Sequence, residues 1–114
     1  MIIFRATDPH ILKFIFPKMV VSSGVDVEHV AEFIYYFLDS RPDDICISTA
    51  FDGSELVGFL IALHEPFREF IWIEQAWISG GVDKVTSTKL KELVEDWALE
   101  NFDIKEMRFQ TERN

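Results

Sequence analysis

The chain has 114 residues, 48% of them hydrophobic, eleven phenylalanines among them, and a formal net charge of -9. That length suits a single domain, residues 1–114, able to bury a real core, and that hydrophobicity excludes a disordered chain. Twenty acidic residues against eleven basic ones argue against nucleic acid, whose binding needs Lys and Arg to neutralise phosphates, and against anionic membrane surfaces.

"IIFRA" at residues 2–6 reads as a first strand. Asp8 can then cap a helix whose first position suits Pro9. Ile11, Leu12, Ile15, Phe16 and Met19 fall at helical spacing. Pro17 pushes Phe16 away from helical angles, so this helix is expected to kink or break near Phe16. "SSGVD" is a loop, and Asp26 caps the next helix. Val27, Val30, Ala31, Ile34 and Leu38 share one face of it. Phe33, Tyr35, Tyr36 and Phe37 make the same helix strongly aromatic. Packing on two sides is the expectation; an exposed aromatic patch for a partner is the alternative.

"ICISTAF" is a β-branched strand. It holds the only cysteine, Cys46, which excludes an intrachain disulfide and reads as a buried, inert thiol. "DG" marks a hairpin into "ELVGFLIALH", where Gly58 signals a bulge or a close backbone approach. "FIWIEQAWIS" completes an antiparallel meander. "GGVDKVTST" reads as a loop, and "KLKELVEDWALEN" as the clearest helix, with Leu90, Leu93, Val94, Trp97 and Ala98 on its apolar face. Residues 104–111 form a last strand, which the helical crossover sets parallel to the strand before it. The order is β-α-α-β-β-β-α-β, and the class is α+β.

No apolar run reaches the ~18–20 residues of a membrane span. "MIIFRATDPH" lacks the charged start and apolar run of a signal peptide. A cytoplasmic protein is expected. His10, His29 and His64 stand apart with no ligand-spaced partner, so no metal site is expected. Glu74, mid-strand among apolar residues, is the one candidate general base; a cross-strand ion pair or an exposed face is the alternative. In "SGGVDKVTST" two glycines lead into a helix start, whose free amides can hold an anion. Lys84, Thr86, Ser87 and Thr88 could add donors. The plainer reading has Asp83 or Ser87 capping the helix.

Taken together, "FDGSELVGFLIAL" and "LKELVEDWALENFDIKEMRFQTERN", in this element order, resemble the GNAT superfamily of acetyl-CoA-dependent N-acetyltransferases. The resemblance covers essentially the whole chain. It implies a mixed sheet in which the fourth and fifth strands splay apart to admit acetyl-CoA. It implies that Trp77 meets the thioester and that residues 82–87 form the pyrophosphate loop. The family's Gln/Arg-x-x-Gly-x-Gly/Ala pattern falls on Val82, Val85 and Ser87, none of which matches it. The implied cofactor-binding set is Trp77, Val82, Lys84, Val85, Thr86, Ser87 and Asn114. The family's last helix and two strands, with the tyrosine that protonates the leaving thiolate, would follow Asn114. On this reading the sequence is a C-terminally shortened, degenerate N-acetyltransferase. The alternative is a non-catalytic interaction or self-assembly module. A final strand at the sheet edge further implies a homodimer through that edge, or a protein partner.

Overall fold

A computed structural model describes residues 1–19 and 26–109. Its elements are β1 (Ile2–Ala6), α1 (Leu12–Met19), α2 (Val27–Ser40), β2 (Ile45–Asp52), β3 (Glu55–His64), β4 (Ile71–Ile78), α3 (Lys84–Phe102) and β5 (Met107–Phe109), with short 3-10 turns at Pro9–Ile11 and Pro42–Asp44. The five strands form one sheet in sequence order, β1-β2-β3-β4-β5. β1 to β4 run antiparallel, and β5 runs parallel to β4. The expected element order and α+β class both hold.

The sheet is buried on both faces at its centre, because β2 and β3 carry apolar side chains at consecutive positions rather than alternate ones. Ile45, Ile47, Phe59, Ile61 and Leu63 pack toward Leu12, Ile15, Val30, Ile34 and Phe37 of α1 and α2. Cys46, Ala50, Val57, Leu60 and Ala62 pack toward Leu90, Val94, Trp97 and Ala98 of α3. Burial raises the Cys46 thiol to about 12, against a smaller opposing pull from Arg5, so it stays protonated at neutral pH.

Two glycines set the geometry of the β2–β3 hairpin. Asp52 pairs with Glu55, leaving Gly53-Ser54 as a two-residue loop. Gly53 has φ +64, as the first loop residue of a type II′ turn requires. Ala50 pairs with Gly58 and Phe51 with Leu56, so Val57 is an extra, bulged residue. A Cβ on Gly58 would lie 2.9 Å from Leu90 Cδ1 and 3.5 Å from the Trp77 carbonyl oxygen. Gly58 therefore flanks the bulge and makes the close approach expected of it.

Four expectations need correction. First, of the kink or break expected near Phe16, the break is absent: α1 continues through Pro17 to Met19. Buried Leu12, Ile15 and Met19 hold it against the sheet, and packing outweighs one missing amide donor. Second, α3 begins at Lys84, five residues earlier than Lys89, because Asp83 caps it: its side chain accepts from the Thr86 amide at 2.8 Å. Third, α2 is packed on one side only. Val30, Ile34 and Phe37 are buried, whereas Phe33, Tyr35 and Tyr36 are 40%, 47% and 51% exposed. Fourth, β5 starts at Met107, not at residue 104; residues 110 and 111 of that expected strand lie outside the described residues.

Candidate functional site

β4 carries the site because of one irregularity. Gln75 pairs with Ile61 and Ile73 with Ala62, so Glu74 is an extra residue bulged out of the ladder. Strict alternation would send residues 72 and 77 to opposite faces. The bulge resets the alternation, and Trp72 and Trp77 both pack on the α1/α2 side. The Trp72 Nε1–H donates to Glu74 Oε2 at 3.2 Å, which places the carboxylate on that face too. Lys18 of α1 brings its Nζ to 5.0 Å from the Trp77 ring centroid, and Phe59 lies against the same ring at 6.1 Å.

Glu74 is half-buried, and its pKa is raised. Burial is the main cause, the Trp72 hydrogen bond opposes it, and the nearby charge of Glu65 adds to it. Among the described residues no cation is paired with it; Glu65 carries the contact with Arg68, at 3.6 Å. Glu74 is thus partly buried, with no ion pair to it among the described residues. A carboxylate whose affinity for protons is raised in this way can accept one from an amine.

On its outer side β4 pairs with β5 through Ile71–Met107, Trp72–Arg108 and Ile73–Phe109. Gln75–Ile78 has no strand partner on that side among the described residues. The expected splay of the two strands involves residues 110–114, Asn114 included, which lie outside the described residues.

Beyond β4 the chain needs only Ser79–Asp83 to reach α3. Val82 is partly buried against the α3 core, Thr86 is buried, and Lys84 and Val85 face solvent, Val85 at 60% exposure. The Ser87 amide bonds the Asp83 carbonyl at 3.3 Å, and the Thr86 amide bonds the Asp83 carboxylate. Hydrogen bonds from the Thr86 side chain and the Thr86 amide hold the Asp83 carboxyl below its ordinary range. A Cβ at Gly80 or Gly81 would meet nothing within 4 Å; Gly81, at φ +90, is needed for the turn, not for a close approach. The site is thus split. Glu74 and Trp77 share the α1/α2 face, whereas Lys84, Val85, Thr86 and Ser87 form the first turn of α3. At the α3 end the Asp83 carboxylate takes the Thr86 amide.

Sequence reasoning missed Trp72 and Lys18. Alternation from Glu74 could have suggested Trp72; nothing local connects Lys18 to Trp77. The histidines are accounted for structurally where bonds are described: His10 Nδ1 is 3.1 Å from Asp8 Oδ1, and His64 Nδ1 is 2.9 Å from Asp44 Oδ1. Among the described residues no cluster of three His, Cys, Asp or Glu side chains could hold a metal ion, and no helix is long and apolar enough to cross a membrane.

No family model and no curated protein matches the sequence. Solved structures match it by fold. AAC(6')-Iy, in complex with the bisubstrate analog CoA-S-monomethyl-acetylneamine, superposes with a TM-score of 0.70 over 99% of this chain and 80% of its own, at 16% identity. The aminoglycoside antibiotic 6'-N-acetyltransferase AAC(6')-IG from Acinetobacter haemolyticus gives 0.71 over 97% of this chain and 79% of its own, at 14% identity. A GNAT family acetyltransferase structure from Staphylococcus aureus subsp. aureus gives 0.67 over 96% of this chain and 98% of its own, at 17% identity. The chain has the GNAT acetyltransferase fold. Identities this low establish the fold and leave activity to the site itself.

Proposed function

We propose that the chain is a degenerate N-acetyltransferase domain of the GNAT fold, with weak acetyl-CoA binding and weak or absent catalysis. The transfer end of the site is retained. Glu74 is the candidate base for an amine proton, Trp77 lines the same face, and the backbone of Gln75–Ile78, which has no outer strand partner among the described residues, would pair with an extended ligand. The diphosphate end is not retained. The observation that carries this reading is the Asp83 carboxylate on the Thr86 amide at 2.8 Å, at the helix start where an anion would otherwise sit. The CoA analog bound to AAC(6')-Iy supports the choice of acetyl-CoA as the ligand to test. Calorimetric titration with acetyl-CoA and CoA is that test. Dissociation constants on the order of 0.1–1 mM fit the reading, and low-micromolar binding contradicts it.

A second reading has its own observation. Phe33, Tyr35 and Tyr36 project from the solvent side of α2, and β5 lies at the sheet edge among the described residues. Both features suit a non-catalytic module that binds a protein partner or forms a homodimer through the β5 edge. The charge of -9 argues against nucleic acid and anionic membranes as partners on either reading. The buried thiol of Cys46 suits the reducing cytoplasm, where we place the protein.

A further inference from the structure

The two lysines of α1 have different surroundings. Buried Leu12, Ile15 and Met19 define the helix face that meets the sheet. Lys18 adjoins that face and is partly buried, whereas Lys13 is exposed. The Lys18 Nζ lies 5.0 Å from the centroid of the Trp77 ring, and among the described residues no carboxylate is within ion-pair distance of it. The other four cation–ring contacts among the described residues all use arginine. Arginine is the commoner stacking partner of an aromatic face; lysine alone offers a nitrogen that can give up its proton and act as a nucleophile. The bulge that turns Trp77 to the α1 side turns the Glu74 carboxylate there as well. A primary amine, an aromatic wall and a partly buried carboxylate thus share one side of β4.

Resting on the acyltransferase reading above, we infer that Lys18 is an internal acyl acceptor: the chain transfers an acetyl group from an acetyl thioester to its own Lys18 Nζ. The neutral Lys18 amine attacks the thioester carbonyl carbon beside Trp77. The new C–N bond forms and the C–S bond breaks. The proton shed by the nitrogen passes to the Glu74 carboxylate, and the departing thiolate takes a proton from water. The products are an Nζ-acetylated Lys18 and a free thiol. An acceptor carried on α1 requires no binding of a second substrate, since the helix has already placed the nitrogen. One such transfer requires no turnover, which suits a domain that holds acetyl-CoA weakly. Acetylation also removes the ammonium charge that faces the Trp77 ring.

The test incubates the wild-type chain with millimolar acetyl-CoA and follows each lysine by peptide mapping in a mass spectrometer. Lys13, exposed on the same helix, reports uncatalysed acetylation. Lys18 should be acetylated roughly a hundredfold faster than Lys13, with a rate constant independent of protein concentration, as an intramolecular step requires. Glu74→Gln should abolish most of that advantage and leave Lys13 unchanged; circular dichroism confirms its fold. A readout without acyl transfer is the NMR signal of isotopically labelled, dimethylated lysines: CoA should move the Lys18 signal and leave that of Lys13 in place. Equal rates at Lys18 and Lys13, a Lys18 rate constant that falls on dilution of the protein, or an advantage untouched by Glu74→Gln overturns the inference alone. Acetyl-CoA that binds in calorimetry while Lys18 stays unmodified does the same. Failure of acetyl-CoA and CoA alike to bind overturns the acyltransferase reading as well.

Discussion

Trp72 and Glu74, two residues apart on β4, are joined side chain to side chain by an Nε1–H···Oε2 bond of 3.2 Å. The bond favours the charged carboxylate, but burial outweighs it and the net shift of Glu74 is upward. A carboxyl raised on folding stabilises the protein below its unfolded value of about 4.5 and loses that contribution as the pH rises through its folded value. Glu74→Gln should therefore raise the thermal midpoint at neutral pH. The gain should disappear below about pH 4. Trp72→Phe, which deletes the donor, should move the Glu74 titration further up when followed by carbon NMR of the side-chain carboxyl. An Glu74→Gln midpoint below wild type at pH 7 would contradict this account of the carboxylate.

Gly58 joins the hairpin to α3. An added Cβ would lie 2.9 Å from Leu90 Cδ1, and Leu90 is fully buried, so its methyl group has little room to retreat. Gly58→Ala should cost about 1–3 kcal/mol in urea unfolding, the usual range for overpacking. Leu90→Ala alone should cost about 2–5 kcal/mol. The double variant should be less destabilised than the sum of the two, since each change relieves the other. Strict additivity would show that the Gly58 effect has another origin.

Much of this framework is readable from residue order. The two-residue hairpin follows from Asp52-Gly53-Ser54, the α2 start from Asp26, and the α3 stripe from Leu90, Val94, Trp97 and Ala98. What escaped the reading depended on partners distant in sequence. The bulge at Glu74 comes from the register with Ile61 and Ala62, and it decides which face receives Trp77. Lys18 reaches Trp77 only through the docking of α1. The helical state of Lys84–Thr88 was obscured by Val85, Thr86 and Thr88, β-branched residues of lower helix propensity, although Asp83 was already visible as a cap. The exposed side of α2 was legible as a composition but not as a location.

Asp44 sits in the turn before β2. It accepts from His64 Nδ1 at 2.9 Å and from Arg41 Nε at 3.0 Å, and the His64 ring stacks on Phe102 of α3 at 3.6 Å between centroids. Partial burial alone would raise this carboxyl, but the hydrogen bonds from His64 and Arg41 outweigh it and hold it below its ordinary value of 3.8. A lowered carboxyl contributes stability above its unfolded pKa and loses it as the pH falls through its folded value. Asp44→Ala should cost about 1.5–3 kcal/mol at pH 7, the range for hydrogen bonds to a charged group. The difference from wild type should narrow below pH 3.8. A cost that stays constant across that window would assign the effect to packing.

The edge position of β5 and the exposed Phe33, Tyr35 and Tyr36 both bear on self-association. Sedimentation velocity should show a monomer converting to a dimer as concentration rises. If β5 is the contact, replacing Tyr35 and Tyr36 together by serine should leave that conversion in place. Loss of dimerisation in this variant would move the interface to α2. A clean monomer at high concentration would remove the homodimer.

The central claim is that the transfer end of the site is kept and the diphosphate end is lost. Backbone amide NMR of the labelled chain, titrated with acetyl-CoA, reads both ends at once. Saturable shifts should appear at Gln75, Ala76, Trp77 and Ile78, with little movement at Val85, Thr86 and Ser87. Shifts centred on Val85–Ser87, or a spectrum unmoved at millimolar ligand, would contradict it.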